Sequence, residues 1–157
     1  MKPNNKGKEV ETLFQTTLET AFKKAVFIER FTDTADATAK ANGRGRRTGR
    51  KKTVVIVEAQ PADFMVTLNG VTAYTEVKDC NNKTSFPFGN ITTSQMNTAK
   101  RQVAAKGLYF FVIHHQGQWH CVPAKVILET TTRKSLPWKD LQPYQLKKLV
   151  DIKRYFK

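Results

Sequence analysis

Asn69-Gly70 lies between two runs of alternating apolar residues, Phe64 to Leu68 and Val71 to Val77, and this constrains the fold more than any other feature. A two-residue hairpin loop of the I′ type needs positive φ at both positions, which asparagine and glycine tolerate. Such a loop also fixes register: positions whose numbers add to the same total as 69 and 70 face each other. Asp63 and Glu76 meet that condition. They are therefore expected as an opposed pair on one face of the ribbon, with Cβ atoms about 4.5–5.5 Å apart. Lys78, two residues beyond Glu76, shares that face. Phe64, Val66, Leu68, Val71, Ala73 and Val77 fall on the opposite face, the expected core side, while Met65 and Tyr74 keep the acidic face from being purely polar.

Two carboxylates so close repel each other, and one is driven toward neutrality unless a cation sits between them. A hard divalent ion with oxygen ligands resolves the conflict, magnesium above all, with manganese as a substitute. Such an ion makes a water easier to deprotonate and a phosphate more electrophilic. Lys78 is placed to orient the water or to stabilise negative charge developing on phosphorus. The competing reading is a cross-strand Asp63–Lys78 ion pair on a solvated face, with Glu76 a bystander.

Charge speaks for the first reading. Lys and Arg number 27 against 13 acids, a formal net charge of +14. That excess points to a polyanionic partner, because each neutralised phosphate releases condensed counterions. A non-catalytic, basic nucleic-acid-binding protein would share the feature. The densest basic run is 42–52, and 32–52 contains no large apolar residue. The span 32–52 is expected to be a flexible basic excursion between two strands. Arg44, Arg46, Arg47, Arg50, Lys51 and Lys52 supply its charge.

The remaining pattern alternates helix and strand. Val10, Leu13, Phe14, Leu18, Ala21, Phe22 and Ala25 give helical spacing over 8–25, and Val26-Phe27-Ile28 follows as a short β-rich stretch. Val54–Val57 looks like a buried strand, and 81–91 like a loop. A helix is expected over 93–106, capped by Thr92 or Thr93 and ended by Gly107. Leu108–Ile113 then reads as a strand that turns through Gly117-Gln118 into 119–122, and a C-terminal helix is expected after Leu141. This order predicts one α/β domain over 1–157, a mixed central sheet flanked by helices.

No apolar run approaches the roughly 18 residues of a membrane span, and the N-terminus lacks an apolar signal core, so no membrane partner is expected. Cys80 and Cys121 lack metal-like spacing and suit a reducing cytoplasm, although spacing alone leaves a disulfide open. His114, His115, His120 and Cys121 suggest zinc, but adjacent strand residues point to opposite faces, which disfavours a shared ion. Trp119, Trp138 and Tyr144 could stack on bases, yet aromatics at apolar positions usually pack in cores.

Asp63, then Glu76-Val77-Lys78 after a hairpin's length, resembles the signature of PD-(D/E)xK nucleases, whose fold is restriction-endonuclease-like. The following segment, Asp79-Cys80-Asn81-Asn82-Lys83-Thr84-Ser85-Phe86-Pro87, is more specific and resembles RecU-type Holliday-junction resolvases. Asn5-Lys6-Gly7-Lys8-Glu9-Val10-Glu11 resembles that family's opening motif. The resemblance implies an endonuclease that cleaves four-way DNA junctions, a magnesium site at Asp63, Glu76 and Gln95, and Lys78 as transition-state stabiliser. Glu11 would add a carboxylate to the catalytic set, although an acid in a first helical turn also simply complements the helix dipole. Lys6, Lys83 and the basic excursion, placed where the family carries a stalk, would contact DNA. A homodimer is implied as well, since two symmetric cuts need two equivalent sites. The shorter chain fits a phage-encoded member acting in a host's cytoplasm, or otherwise a bacterial cytoplasmic enzyme. Two departures stand out. Pro61 replaces a threonine of the family's metal site, so only its carbonyl or a water could serve there, and Lys6 replaces an arginine. Another endonuclease of the same superfamily is the nearest alternative.

Overall fold

A computed structural model describes residues 6–31 and 60–157. Helix α1 (Lys6–Phe22) ends in a 3₁₀ turn and leads into β1 (Val26–Arg30). The ribbon follows as β2 (Phe64–Leu68) and β3 (Val71–Asp79). Next come β4 (Ser85–Pro87), α2 (Thr93–Ala104), β5 (Leu108–His115) and β6 (Gln118–Pro123). The chain closes with α3 (Ala124–Glu129), β7 (Ser135–Pro137), α4 (Trp138–Leu141) and β8 (Gln145–Leu146). Among the described residues the main sheet has six strands in the order β1-β2-β3-β5-β6-β8, while β4 and β7 pair separately. The β3–β5 pair is parallel and its neighbours are antiparallel, which makes the sheet mixed. No helix among the described residues is long and apolar enough to cross a membrane.

The hairpin forms as its sequence dictates. Asn69 and Gly70 take φ of 55° and 79°, and Leu68 pairs with Val71 through to Phe64 with Thr75, the anticipated register. Phe64, Val66, Leu68, Ala73 and Val77 pack beneath Val10, Phe14 and Leu18 of α1 and beneath Leu149, Ile152 and Phe156. The Phe14 and Phe64 rings, both fully buried, lie 5.3 Å apart. Truncating either to alanine would cost about 3–5 kcal/mol.

The acidic face is not the solvated surface of the ion-pair alternative. Because β5 is apolar at nearly every position, Phe110 and Val112 join the first core while Tyr109, Phe111 and Ile113 build a second. The second core lies beneath Ala99 of α2 and Ala124 and Ile127 of α3. The site thus develops at the margin of an apolar layer.

Other expectations shift locally. The stretch 81–91 contains β4 and a 3₁₀ turn, because β7 supplies a pairing partner far along the chain. Thr92 caps α2, but the left-handed residue beyond it is Lys106 (φ 60°). Gly107 follows, with its backbone N–H donating to Gln102 O at 2.9 Å and the flexible end of the Gln102 side chain lying over the place a Cβ would take. The β5–β6 turn is Gln116-Gly117, one residue before the expected pair. The C-terminal helix is a 3₁₀ segment, Leu149–Tyr155, and Leu146 belongs to β8. Cys80 and Cys121 are free and lie in different cores. The expected strand at 54–57 and the basic excursion at 32–52 lie outside the described residues.

Candidate active site

Asp63 stands one residue before β2, so it faces Glu76 from outside the ladder. Its carbonyl accepts from Phe31 N at 2.9 Å, which fastens it to the end of β1. Its Oδ2 accepts from the Val77 backbone N–H at 2.7 Å, which brings the carboxyl onto β3. Glu76 lies within β3, fully buried, alongside Phe111 in the parallel ladder. Lys78 Nζ forms an ion pair with Glu76 Oε1 at 2.7 Å while keeping part of its side chain in solvent.

Gln95 joins the cluster from α2. Its Nε2 donates to Glu76 Oε1, and its Oε1 accepts from Thr92 N at 2.9 Å. The Gln95 backbone N–H donates to Thr92 Oγ1 at 3.2 Å, completing a capping box. One side chain therefore fixes the helix start and reaches the acid, because N3 of a capping box turns its side chain back toward the chain entering the helix.

Burial, then the neighbouring Glu76, pushes the Asp63 carboxyl up to about 7, against the opposing pull of Lys78 and the Val77 N–H. The oxygens gathered here are those of Asp63, Glu76 and the Pro61 carbonyl, while Gln95 turns its amide nitrogen to Glu76 and its amide oxygen to Thr92 N. That chemistry fits a hard divalent cation, whose charge would favour the ionised acid that burial disfavours.

Sequence reading missed Tyr109. Its hydroxyl lies 3.1 Å from Pro61 O and 3.5 Å from Glu76 Oε2. Burial, then Glu76 and Asp63, hold its phenol well above the ordinary tyrosine range. Within an apolar strand it reads as core, and only the β3–β5 pairing reveals its position.

The other candidates are more dispersed. Glu11 forms an ion pair with Arg30, which is in register with Phe64 and lies 5.8 Å over its ring. That places the pair on the α1 side of the sheet, near the start of β2. Lys6 opens α1, and Lys83 is exposed between β3 and β4. The connection bearing Lys83 is shaped by Asn82, whose Oδ1 accepts from Thr84 N at 3.0 Å. Trp138 Nε1 donates to Asn82 O at 2.8 Å, and its ring stacks 3.7 Å from His115. His114 instead meets Asp79 at 2.9 Å and His115 meets Cys80 O at 2.8 Å, so the two histidines face different partners. Trp119 packs near Phe14 and His114. Arg44, Arg46, Arg47, Arg50, Lys51 and Lys52 lie outside the described residues.

Two acids and a lysine thus stand at the open end of a hairpin, in a mixed sheet layered by helices. The Holliday-junction resolvase Hjc of Archaeoglobus fulgidus has a similar fold, with a TM-score of 0.54 and 11% identity, over 93% of this chain and 99% of that one. The profile of the Recombination protein U (RecU) family matches residues 5–155, and the chain belongs to that family of Holliday-junction resolvases. Curated protein sequences yield no match.

Proposed function

We propose that this chain cleaves four-way DNA junctions by magnesium-dependent hydrolysis of a phosphodiester, with Asp63, Glu76 and Lys78 as the catalytic set. The observation that carries this reading is the convergence of a buried Glu76, an Asp63 shifted to about 7, Lys78 and Gln95 on one point of the sheet. Asp63 and Glu76 would hold the divalent ion, with the Pro61 carbonyl beside them, and Gln95 would join them by turning its amide oxygen inward from Thr92 N. When bound, the ion supplies positive charge that polarises the phosphate and lowers the pKa of water. Lys78, anchored to Glu76 and partly solvated, orients the water and offsets charge on the non-bridging oxygens. Water's oxygen bonds to phosphorus, one P–O ester bond breaks, and a proton reaches the departing alcohol. Glu11, paired with Arg30 on the α1 side of the sheet, is the further carboxylate proposed for this set. Lys6, Lys83 and the basic excursion serve as phosphate contacts, and two copies provide the paired cuts.

The test is cleavage of an end-labelled four-way junction and a linear duplex of the same sequence, each with and without magnesium. Paired symmetric nicks in the junction alone, dependent on magnesium, are expected. Junction binding without product, or equal cutting of the duplex, would overturn the proposal.

A further inference from the structure

Tyr109 occupies the second position of β5, is 2% exposed, and lies next to Tyr74 across the parallel β3–β5 pair. Its ring sits 6.4 Å from Tyr74 and 5.3 Å from Phe111, so the phenol body is held by apolar packing. The hydroxyl carries one proton, and two acceptors lie within its reach: Pro61 O at 3.1 Å and Glu76 Oε2 at 3.5 Å. These acceptors belong to the two segments that deliver the acids. Pro61 lies two residues before Asp63, while Glu76 is in β3.

The β2–β3 ladder brings Asp63 and Glu76 opposite each other but ends one pair short of them, at Phe64 and Thr75, so their side chains also depend on contacts outside the ladder. The two carboxyls share a side-chain hydrogen bond, Asp63 Oδ2 also accepts from Val77 N, and the Tyr109 hydroxyl braces the two segments from the other side, bonded to Pro61 O with Glu76 Oε2 close by. Pro61 has no side-chain oxygen, so its carbonyl is the only oxygen that residue can turn toward the site, and Tyr109 holds it. Glu76 Oε1 is already engaged by Lys78 and Gln95, which leaves Oε2 to the phenol.

We infer that Tyr109 is a positioning residue that braces the two segments bearing the carboxyls, and through their spacing tunes the affinity of the site for a divalent ion. The inference rests on the reading that Asp63 and Glu76 hold such an ion. Groups that orient ligands in this way typically contribute about 10–100-fold in metal affinity.

The experiment compares the full chain with Tyr109→Phe, which keeps the ring, and with Tyr74→Phe, which removes a hydroxyl from the neighbouring ring. Manganese binding is measured by paramagnetic resonance, junction affinity in chelator, and cleavage rate against metal concentration. For Tyr109→Phe, manganese affinity should fall about tenfold and half-saturation of cleavage should rise in step. Its rate at saturating metal should stay within about threefold and its junction affinity within about twofold of the parent, while Tyr74→Phe should bind manganese like the parent. Unchanged manganese affinity in Tyr109→Phe, equal losses in both variants, or failure of Tyr109→Phe to fold would overturn the inference. A parent that binds no manganese would instead refute the underlying reading of the site.

Discussion

Replacing Asp63 by asparagine removes an ionisable group but keeps an oxygen that can accept the Val77 N–H. The Asp63 carboxyl stands near 7 in the folded chain, against 3.8 for the ordinary group, chiefly because it is buried and then because Glu76 is close. Between those two values the unfolded chain has released the proton while the folded chain still holds it. Stability of the metal-free protein therefore falls as pH rises through that window. At about 1.4 kcal/mol per unit the penalty reaches on the order of 4 kcal/mol by pH 8, and residual solvent contact at Asp63 lowers it toward about 2 kcal/mol. Asp63→Asn should thus stabilise the chelated protein at pH 8 by about 2–4 kcal/mol, raising Tm by roughly 5–10 °C, with the gain vanishing near pH 4. With magnesium the order reverses, because only the parent gains binding energy from the ion. Circular-dichroism melts across pH, in chelator and in magnesium, measure both effects. A variant that is destabilised equally at pH 4 and pH 8 in chelator would refute the reasoning, since Asp63 would then act as a structural acceptor and not as a strained acid.

Lys78→Ala should lower the cleavage rate constant by about 10²–10³-fold while leaving junction affinity nearly intact, as single-turnover kinetics and gel shifts would show. Thr75 is fully buried and its hydroxyl has no partner among the described residues, so Thr75→Val should raise stability by about 1 kcal/mol in denaturant titration. Trp138→Ala removes the stack on His115 and the bond to Asn82 O. It should speed hydrogen exchange at Thr84 and Ser85 and weaken junction binding severalfold, with little change in rate at saturating DNA. With a net charge of +14, junction affinity should fall by orders of magnitude between about 50 and 200 mM salt, and a flat response would deny the basic residues a role in phosphate contact.

The hairpin was legible because Asn-Gly fixes both turn and register, and period-two alternation then assigns faces without tertiary information. That was enough to bring Asp63 and Glu76 together and to place Lys78 beside them. The depth of the site was not legible. Glu76 is buried because β5, whose residues pair thirty-five positions on, lies parallel to β3 and carries apolar residues on both faces. Local patterning contains no term for that partner. Tyr109 was hidden for the same reason, since one tyrosine in an apolar strand looks like core until the neighbouring strand is known. Gln95 could be placed on a helix, but its double use in capping and in contact with Glu76 depends on how α2 meets the sheet. The C-terminal apolar residues suited a helix, and the short β8 pairing with β6 diverts the chain into a 3₁₀ segment instead.

The most direct test of the central claim is an anomalous diffraction measurement on crystals of the protein soaked in manganese. A peak bounded by the carboxylates of Asp63 and Glu76, at oxygen distances near 2.1 Å, is the predicted result. Absence of a peak between those carboxylates in crystals with metal bound elsewhere, such as at Asp79 and His114, would contradict it.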